Sequence, residues 1–251
     1  MKIQLFSFRT GIFEFVFVLY SLLIYYSYGF ASVGDFLLLA MGLYVLFFKK
    51  SYFTYKPLFY LLVFLVLHEV VLSLILTSVP SYFINNNVSM VLNLLLVGFI
   101  AAALNAEKLY GAFMLIGIIF MFGLLYHFNL IYFQGKTVEA IQLPFLPNLS
   151  GTSRFAEMSF RPISFFPEPA SYITFMMIPL FWSLNKKKII WALIITFSML
   201  LSTSTNGFFL SLILWLIFVF RRDFNLKYKI FLAVSIFILA YSITNNKYFI
   251  A

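Results

Sequence analysis

Leu109-Tyr-Gly-Ala-Phe-Met-Leu-Ile-Gly-Ile-Ile-Phe-Met-Phe-Gly-Leu-Leu-Tyr-His127-Phe-Asn-Leu-Ile-Tyr-Phe133 runs 25 residues without an aspartate, glutamate, lysine or arginine. About 20 apolar residues in a helix cross the hydrocarbon core of a bilayer, so this segment reads as a spanning helix. The rest of the chain agrees. Hydrophobic residues make up 63% of the 251 and charged residues only 10%, against about a quarter charged in a soluble domain. Mean hydropathy is +1.01. These values predict an all-α polytopic membrane protein, a single integral membrane domain over residues 1–251.

Working outward, nine apolar runs qualify as spans: 11–28, 35–48, 57–79, 89–104, 109–133, 169–185, 189–203, 207–220 and 229–245. The second is short and must borrow from Tyr28 to Gly34 or from Ser51 to Tyr55, or lie in a thinned region of the bilayer. The N-terminal run is too long for a signal peptide and lacks a small-residue cleavage site, so it reads as an uncleaved first helix.

The connections alternate in charge. Lys2, Arg9, Lys49, Lys50, Lys56, Lys108, Lys186, Lys187, Lys188, Arg221, Arg222, Lys227 and Lys229 fall on one side, 13 of the 17 basic residues. Lys136, Arg154, Arg161 and Lys247 fall on the other. Basic residues concentrate in cytoplasmic loops, which puts the N-terminus inside and the 35-residue loop 134–168 outside. The net charge of +9 is thus explained by topology, and no nucleic-acid partner is implied. The chain has no cysteine and two histidines. That excludes thiol chemistry and disulfides and argues against a histidine metal site. No metal and no cofactor is expected.

The external loop carries the chemistry. Arg154-Phe-Ala-Glu157-Met-Ser-Phe-Arg161-Pro-Ile-Ser-Phe-Phe-Pro-Glu168-Pro-Ala-Ser-Tyr172 holds two arginines, two glutamates and three prolines in 19 residues. Charge at a membrane surface is placed either for water or for function. Arg154, Glu157 and Arg161 at i, i+3 and i+7 would share one helix face. Two readings stand: a solvated interfacial helix, or a cradle in which arginine forks grip phosphate. Pro162 ends any such helix. Pro167, Glu168 and Pro169 lead into the sixth span, where proline suits the first turn and an acid suits the positive end. Glu168 is therefore a cap or a general base. Tyr172, one turn in, is an interface aromatic or a ligand contact. Leu143, Phe145, Leu146, Phe155, Phe160, Phe165 and Phe166 give the loop enough apolar surface to fold back on the membrane. Ser202-Thr-Ser204-Thr-Asn206-Gly207, on the same side, predicts a tight turn with free hydroxyls: either a simple hairpin with satisfied backbone, or a wall of the same cavity with Ser204 and Asn206 as candidate ligand contacts.

Arg161-Pro-Ile-Ser164-Phe-Phe166-Pro-Glu168-Pro169-Ala170-Ser-Tyr172 resembles the R-x-x-(S/G)-x-F-x-(E/H)-P-x-x-(F/Y/A) signature of the O-antigen and capsule polymerases and O-antigen ligases. Leu200-Leu-Ser-Thr-Ser-Thr-Asn-Gly207 resembles the hairpin that follows in that family, although Thr205 stands where an arginine is frequent. The matching region covers roughly 154–220. The resemblance implies a GT-C-like helical bundle and an inverting glycosyltransferase on the outer face of a bacterial cytoplasmic membrane. It would transfer a polyprenyl-diphosphate-linked oligosaccharide to another lipid-linked repeat unit. Arg161 would hold the diphosphate and Glu168 would orient or deprotonate the acceptor; Arg154, Glu157, Tyr172, Ser204 and Asn206 would contact substrate. Membrane lipid and a chain-length regulator are the further partners. A ligase that transfers glycan to a lipid core shares the signature. Family members run to ten or more spans with a second basic external loop. This chain ends after its ninth, which implies a short member or a piece of one.

His68 and Glu69, midway along the third span, suggest a transporter as the alternative from another class; buried polar pairing is the plainer reading. His127 reads as an interface residue or one that reaches the external cavity. Glu14 can snorkel to the inner surface.

Overall fold

The computed structural model describes residues 8–28, 31–49, 60, 63–64, 67–68, 81–147, 149 and 160–220, with the backbone alone at 81–90 and 206. Seven α-helices and no strands are found among the described residues: α1 Ile12–Leu23, α2 Val33–Tyr44, α3 Ser81–Ala101, α4 Ala106–Tyr132, α5 Pro169–Asn185, α6 Ile189–Leu201 and α7 Thr205–Phe220. The protein is thus all-α. Among the described residues one helix, α4, is long and apolar enough to cross a membrane, at 27 residues or about 40 Å of rise. The expected spans 57–79 and 229–245 fall wholly or almost wholly outside the described residues.

One expectation holds and one needs correction. The second apolar run does gain length, by starting at Val33 and continuing past Tyr44 as a π-helical turn, Val45–Lys49. The fourth was placed at 89–104 with a loop before it. The helix instead begins at Ser81 and takes in Asn85, Asn86 and Asn87. Hydropathy locates where a helix is apolar, whereas backbone hydrogen bonding continues through polar residues. The proline at position 80 is the better mark of the start.

The chain divides into two compact units, Arg9–Leu109, and Tyr110–Ala251 with the N-terminal residues to Phe8. In the first, α1 packs on α2 and α2 on α3, around Leu38, Met41, Val45 and Ile100. Ser32 and Asp35 close the start of α2 with a reciprocal capping box, and the second Asp35 oxygen accepts from Asn93 of α3 at 2.8 Å. Glu14, expected to snorkel, is buried. Its Oε1 accepts the Asn105 backbone N–H at 3.0 Å. A buried carboxylate needs such donors.

Gly34 lets α2 start against the end of α1. A Cβ there would lie 2.7 Å from the Ile24 nitrogen and 2.9 Å from its Cα. Backbone has no rotamer with which to yield, and overpacking costs about 1–3 kcal/mol or more. Gly34→Ala is expected to lower the thermal midpoint of the detergent-solubilised protein by several degrees. An unchanged midpoint would show that the two helices part freely.

In the second unit α5 packs against α6 and α7. Phe113 and Phe120 of α4 meet Phe175 of α5 at ring distances of 5.4 and 4.9 Å. Edge-to-face and offset contacts of this kind add to area burial. Pro179 sits buried inside α5 without ending it.

Candidate functional site

The start of α5, the end of α6 and the start of α7 lie at one end of the second unit. The Tyr172 hydroxyl donates to Ser198 Oγ at 2.9 Å. A Cβ on Gly207 would touch Ile173 Cδ1 at 2.6 Å and the Met199 carbonyl at 3.0 Å, so only glycine permits α7 to enter so close. Tyr172 is completely buried. Its hydroxyl ties α5 to α6, while its ring packs on Phe166 at 6.1 Å.

The segment before α5 docks on the last turns of α4. Ser164 is fully buried with φ +59, a left-handed conformation uncommon outside glycine and asparagine. Three hydrogen bonds hold it there. Its N–H donates to His127 Nδ1 at 3.1 Å. Its hydroxyl donates to the Phe120 carbonyl at 2.7 Å. Its carbonyl accepts the Ile141 N–H at 2.9 Å. Phe166 follows into the core, 4.9 Å from the Phe120 ring and 6.0 Å from that of Phe175. Gly123 makes room: a Cβ on it would come 2.6 Å from Ser164 Oγ and 2.9 Å from Phe165 Cε2.

His127 was expected at the interface or in an external cavity. It is instead 2% exposed and serves as an acceptor for a buried backbone donor, which would otherwise go unpaired at appreciable cost. Phe120, Gly123 and His127 recur at i, i+3 and i+7, the spacing of one helix face. That pattern was the sequence signal for a docking surface.

Arg161 and Glu168 flank this anchored stretch and are both half-buried. Arg161 lies in irregular backbone, within electrostatic range of Tyr132 at the end of α4. Glu168 occupies the N-cap position of α5 with extended backbone, but its side chain makes no capping bond. Its Oε1 accepts from Ser171 at 3.3 Å. Pro169 takes the first helical position, as expected. Arg154 and Glu157 lie outside the described residues, as does the side chain of Asn206. Ser204 is buried in the α6–α7 turn.

The hydroxyls of that turn are not all free. Ser202 donates to the Met199 carbonyl at 2.7 Å. Thr203 Oγ1 is buried with no partner among the described residues. Along the 134–168 loop Val138, Ala140, Ile163 and Phe166 are buried, whereas Phe145 is 100% exposed. His68 is exposed, its ring 6.2 Å from Phe64 one turn earlier; Glu69 lies outside the described residues. Among the described residues no three histidine, aspartate or glutamate side chains converge as metal ligands.

The arrangement offers a cation with a planar fork and a carboxylate, both held at the end of a helical bundle by a buried anchor between them. The chain matches no protein-family model, and neither the curated proteins nor the solved structures yield a match.

Proposed function

We propose that this chain is a multi-pass membrane glycosyltransferase that polymerises polyprenyl-diphosphate-linked oligosaccharide repeat units into surface polysaccharide. Its bundle is of the GT-C-like kind, with nine spans, a cytoplasmic N-terminus and the 134–168 loop on the outer face of a bacterial cytoplasmic membrane.

One observation carries this reading. The Ser164 anchor holds Arg161 and Glu168 at the end of the second unit where α4 terminates, whereas the lysine turn 186–188 joins α5 to α6 at the other end. A diphosphate leaving group develops charge as its bond to the sugar breaks, and fixed cations stabilise that charge most when they are already in place. Arg161 supplies such a cation. In the transfer, an acceptor hydroxyl attacks the anomeric carbon from the face opposite the diphosphate. The C–O bond to the diphosphate breaks, and the leaving group takes the electron pair. Glu168 receives the hydroxyl proton. The product has inverted configuration and is one repeat unit longer, still attached to its lipid.

The test is electrophoresis of surface polysaccharide from a host lacking the gene, with and without this chain restored. A ladder that collapses to single repeats and returns on complementation supports a polymerase. A ladder that persists unattached while transfer to the lipid core stops would reassign the chain as the ligase. An unchanged pattern would remove both.

Topology is checked separately. Reporter tags at Lys50, Lys187 and Arg222 are expected in the cytoplasm and one at Asn148 outside. A cytoplasmic signal at Asn148 would turn Arg161 away from the lipid-linked substrate and end the proposal.

A further inference from the structure

The turn between α5 and α6 is closed by two backbone hydrogen bonds. Lys187 N–H donates to Leu184 O at 3.0 Å and Lys188 N–H to Ser183 O at 2.8 Å. Lys187 takes the left-handed φ of +56 that such helix ends demand. This fixes the two flanking lysines. Lys186 Nζ sits 4.7 Å from the centre of the Tyr110 ring, and Lys188 Nζ sits 5.2 Å from the same centre and 5.6 Å from that of Phe8. The two ammonium groups are therefore no farther apart than the sum of their distances to one ring.

The rings beside them are packed in place. The Tyr110 hydroxyl shares a buried hydrogen bond with Ser183 at 3.2 Å. The Tyr110 ring packs edge-on to Trp182 at 5.9 Å, and Phe8 packs on Trp191 at 5.4 Å. A ring face attracts each cation, but the two cations repel one another. An anion within reach of both ammonium groups is attracted by each. A phosphate oxygen pair suits two compact ammonium donors. Phe181 and Ile190, on either side of the turn, present exposed apolar surface, which suits the glycerol and acyl portion of a lipid better than a free anion.

We propose that Lys186 and Lys188, set over the Tyr110–Phe8 floor, form a site for the phosphate of an anionic membrane lipid at the cytoplasmic surface. The site rests on the multi-pass reading for its place at the membrane, and is independent of the glycosyl transfer assigned to the opposite end.

The two tryptophans beside the site provide the readout. The full chain is reconstituted in phosphatidylcholine bilayers into which brominated phosphatidylglycerol or brominated phosphatidylcholine is titrated, and tryptophan quenching is measured. The expected result is half-maximal quenching at an about tenfold lower mole fraction of the anionic lipid. Lys186→Gln/Lys188→Gln should bring the two lipids to near parity. Lys187→Gln removes a neighbouring charge that makes no ring contact among the described residues, and should keep most of the preference. Lys186→Arg/Lys188→Arg should keep it too, and the secondary structure of every variant is verified by circular dichroism. A per-charge loss in Lys187→Gln equal to that in the double variant would reduce the effect to general surface potential and overturn the site. So would the absence of any preference in the unaltered protein. Displacement of the lipid by millimolar inorganic phosphate would assign the lysines to a free anion. Loss of polymerisation activity with lipid preference intact would sink the enzymatic reading alone.

Discussion

Arg161→Ala is expected to abolish polymer formation while the protein remains in the membrane at its normal level. Removing one preorganised donor from a developing anion typically lowers turnover about 10²–10³-fold, enough to reduce a polysaccharide ladder to single repeats. Arg161→Lys should restore little, because an ammonium cannot make the two-pronged contact of a guanidinium. The fold should tolerate both changes. Arg161 is half-buried in irregular backbone, outside the helices α4 and α5. Membrane abundance and chain length are read from the same cells. Normal chain length in the alanine variant would remove the arginine from the mechanism.

The second large effect is expected at Gly123, which carries no functional group of its own. A side chain there meets Ser164 Oγ, and that atom has nowhere to go: it is held by the Phe120 carbonyl at 2.7 Å. Gly123→Val should lift the 161–168 segment from α4, lowering transfer at least tenfold and the thermal midpoint by several degrees, with helix content preserved. The companion change identifies the cause. Ser164→Gly removes the obstructing oxygen and accepts the positive φ without strain. In a Gly123→Ala background it should recover part of the activity, a non-additive outcome measured by a double-mutant cycle. Strictly additive losses would mean that Gly123 and Ser164 act separately.

Much of the helical layout was legible because hydropathy and punctuation coincide at its ends. Pro169 opens α5, the lysine run closes it, and Pro169–Asn185 falls where the sequence put it. The start of α3 was missed because three asparagines look like a loop to a hydropathy reading, yet they complete helical turns. Ahead of α5, the N-cap position of Glu168 and the first-turn position of Pro169 were legible from charge and proline. The anchor was not. His127 was visible as a residue, but its partner is a backbone N–H 37 positions away, and a backbone donor leaves no mark in a sequence. Tyr172 carried a misleading signal. Tyrosine near a helix end suits an interface or a ligand equally well, and only packing showed its hydroxyl turned inward to Ser198.

The burial of Phe166 among Phe120, Phe175 and Tyr172 divides the long connection after α4 into two unlike halves. Phe145 is fully exposed, so a residue inserted beside it displaces no buried ring. Between Ile163 and Pro169 spacing is fixed at both ends, by Ser164 against α4 and by the first turn of α5. A single inserted residue there would put Phe166 out of register with its ring partners. Tolerance to insertion and deletion should therefore change abruptly along one connection, and a sequence that varies freely at the tip must count its residues strictly at the base.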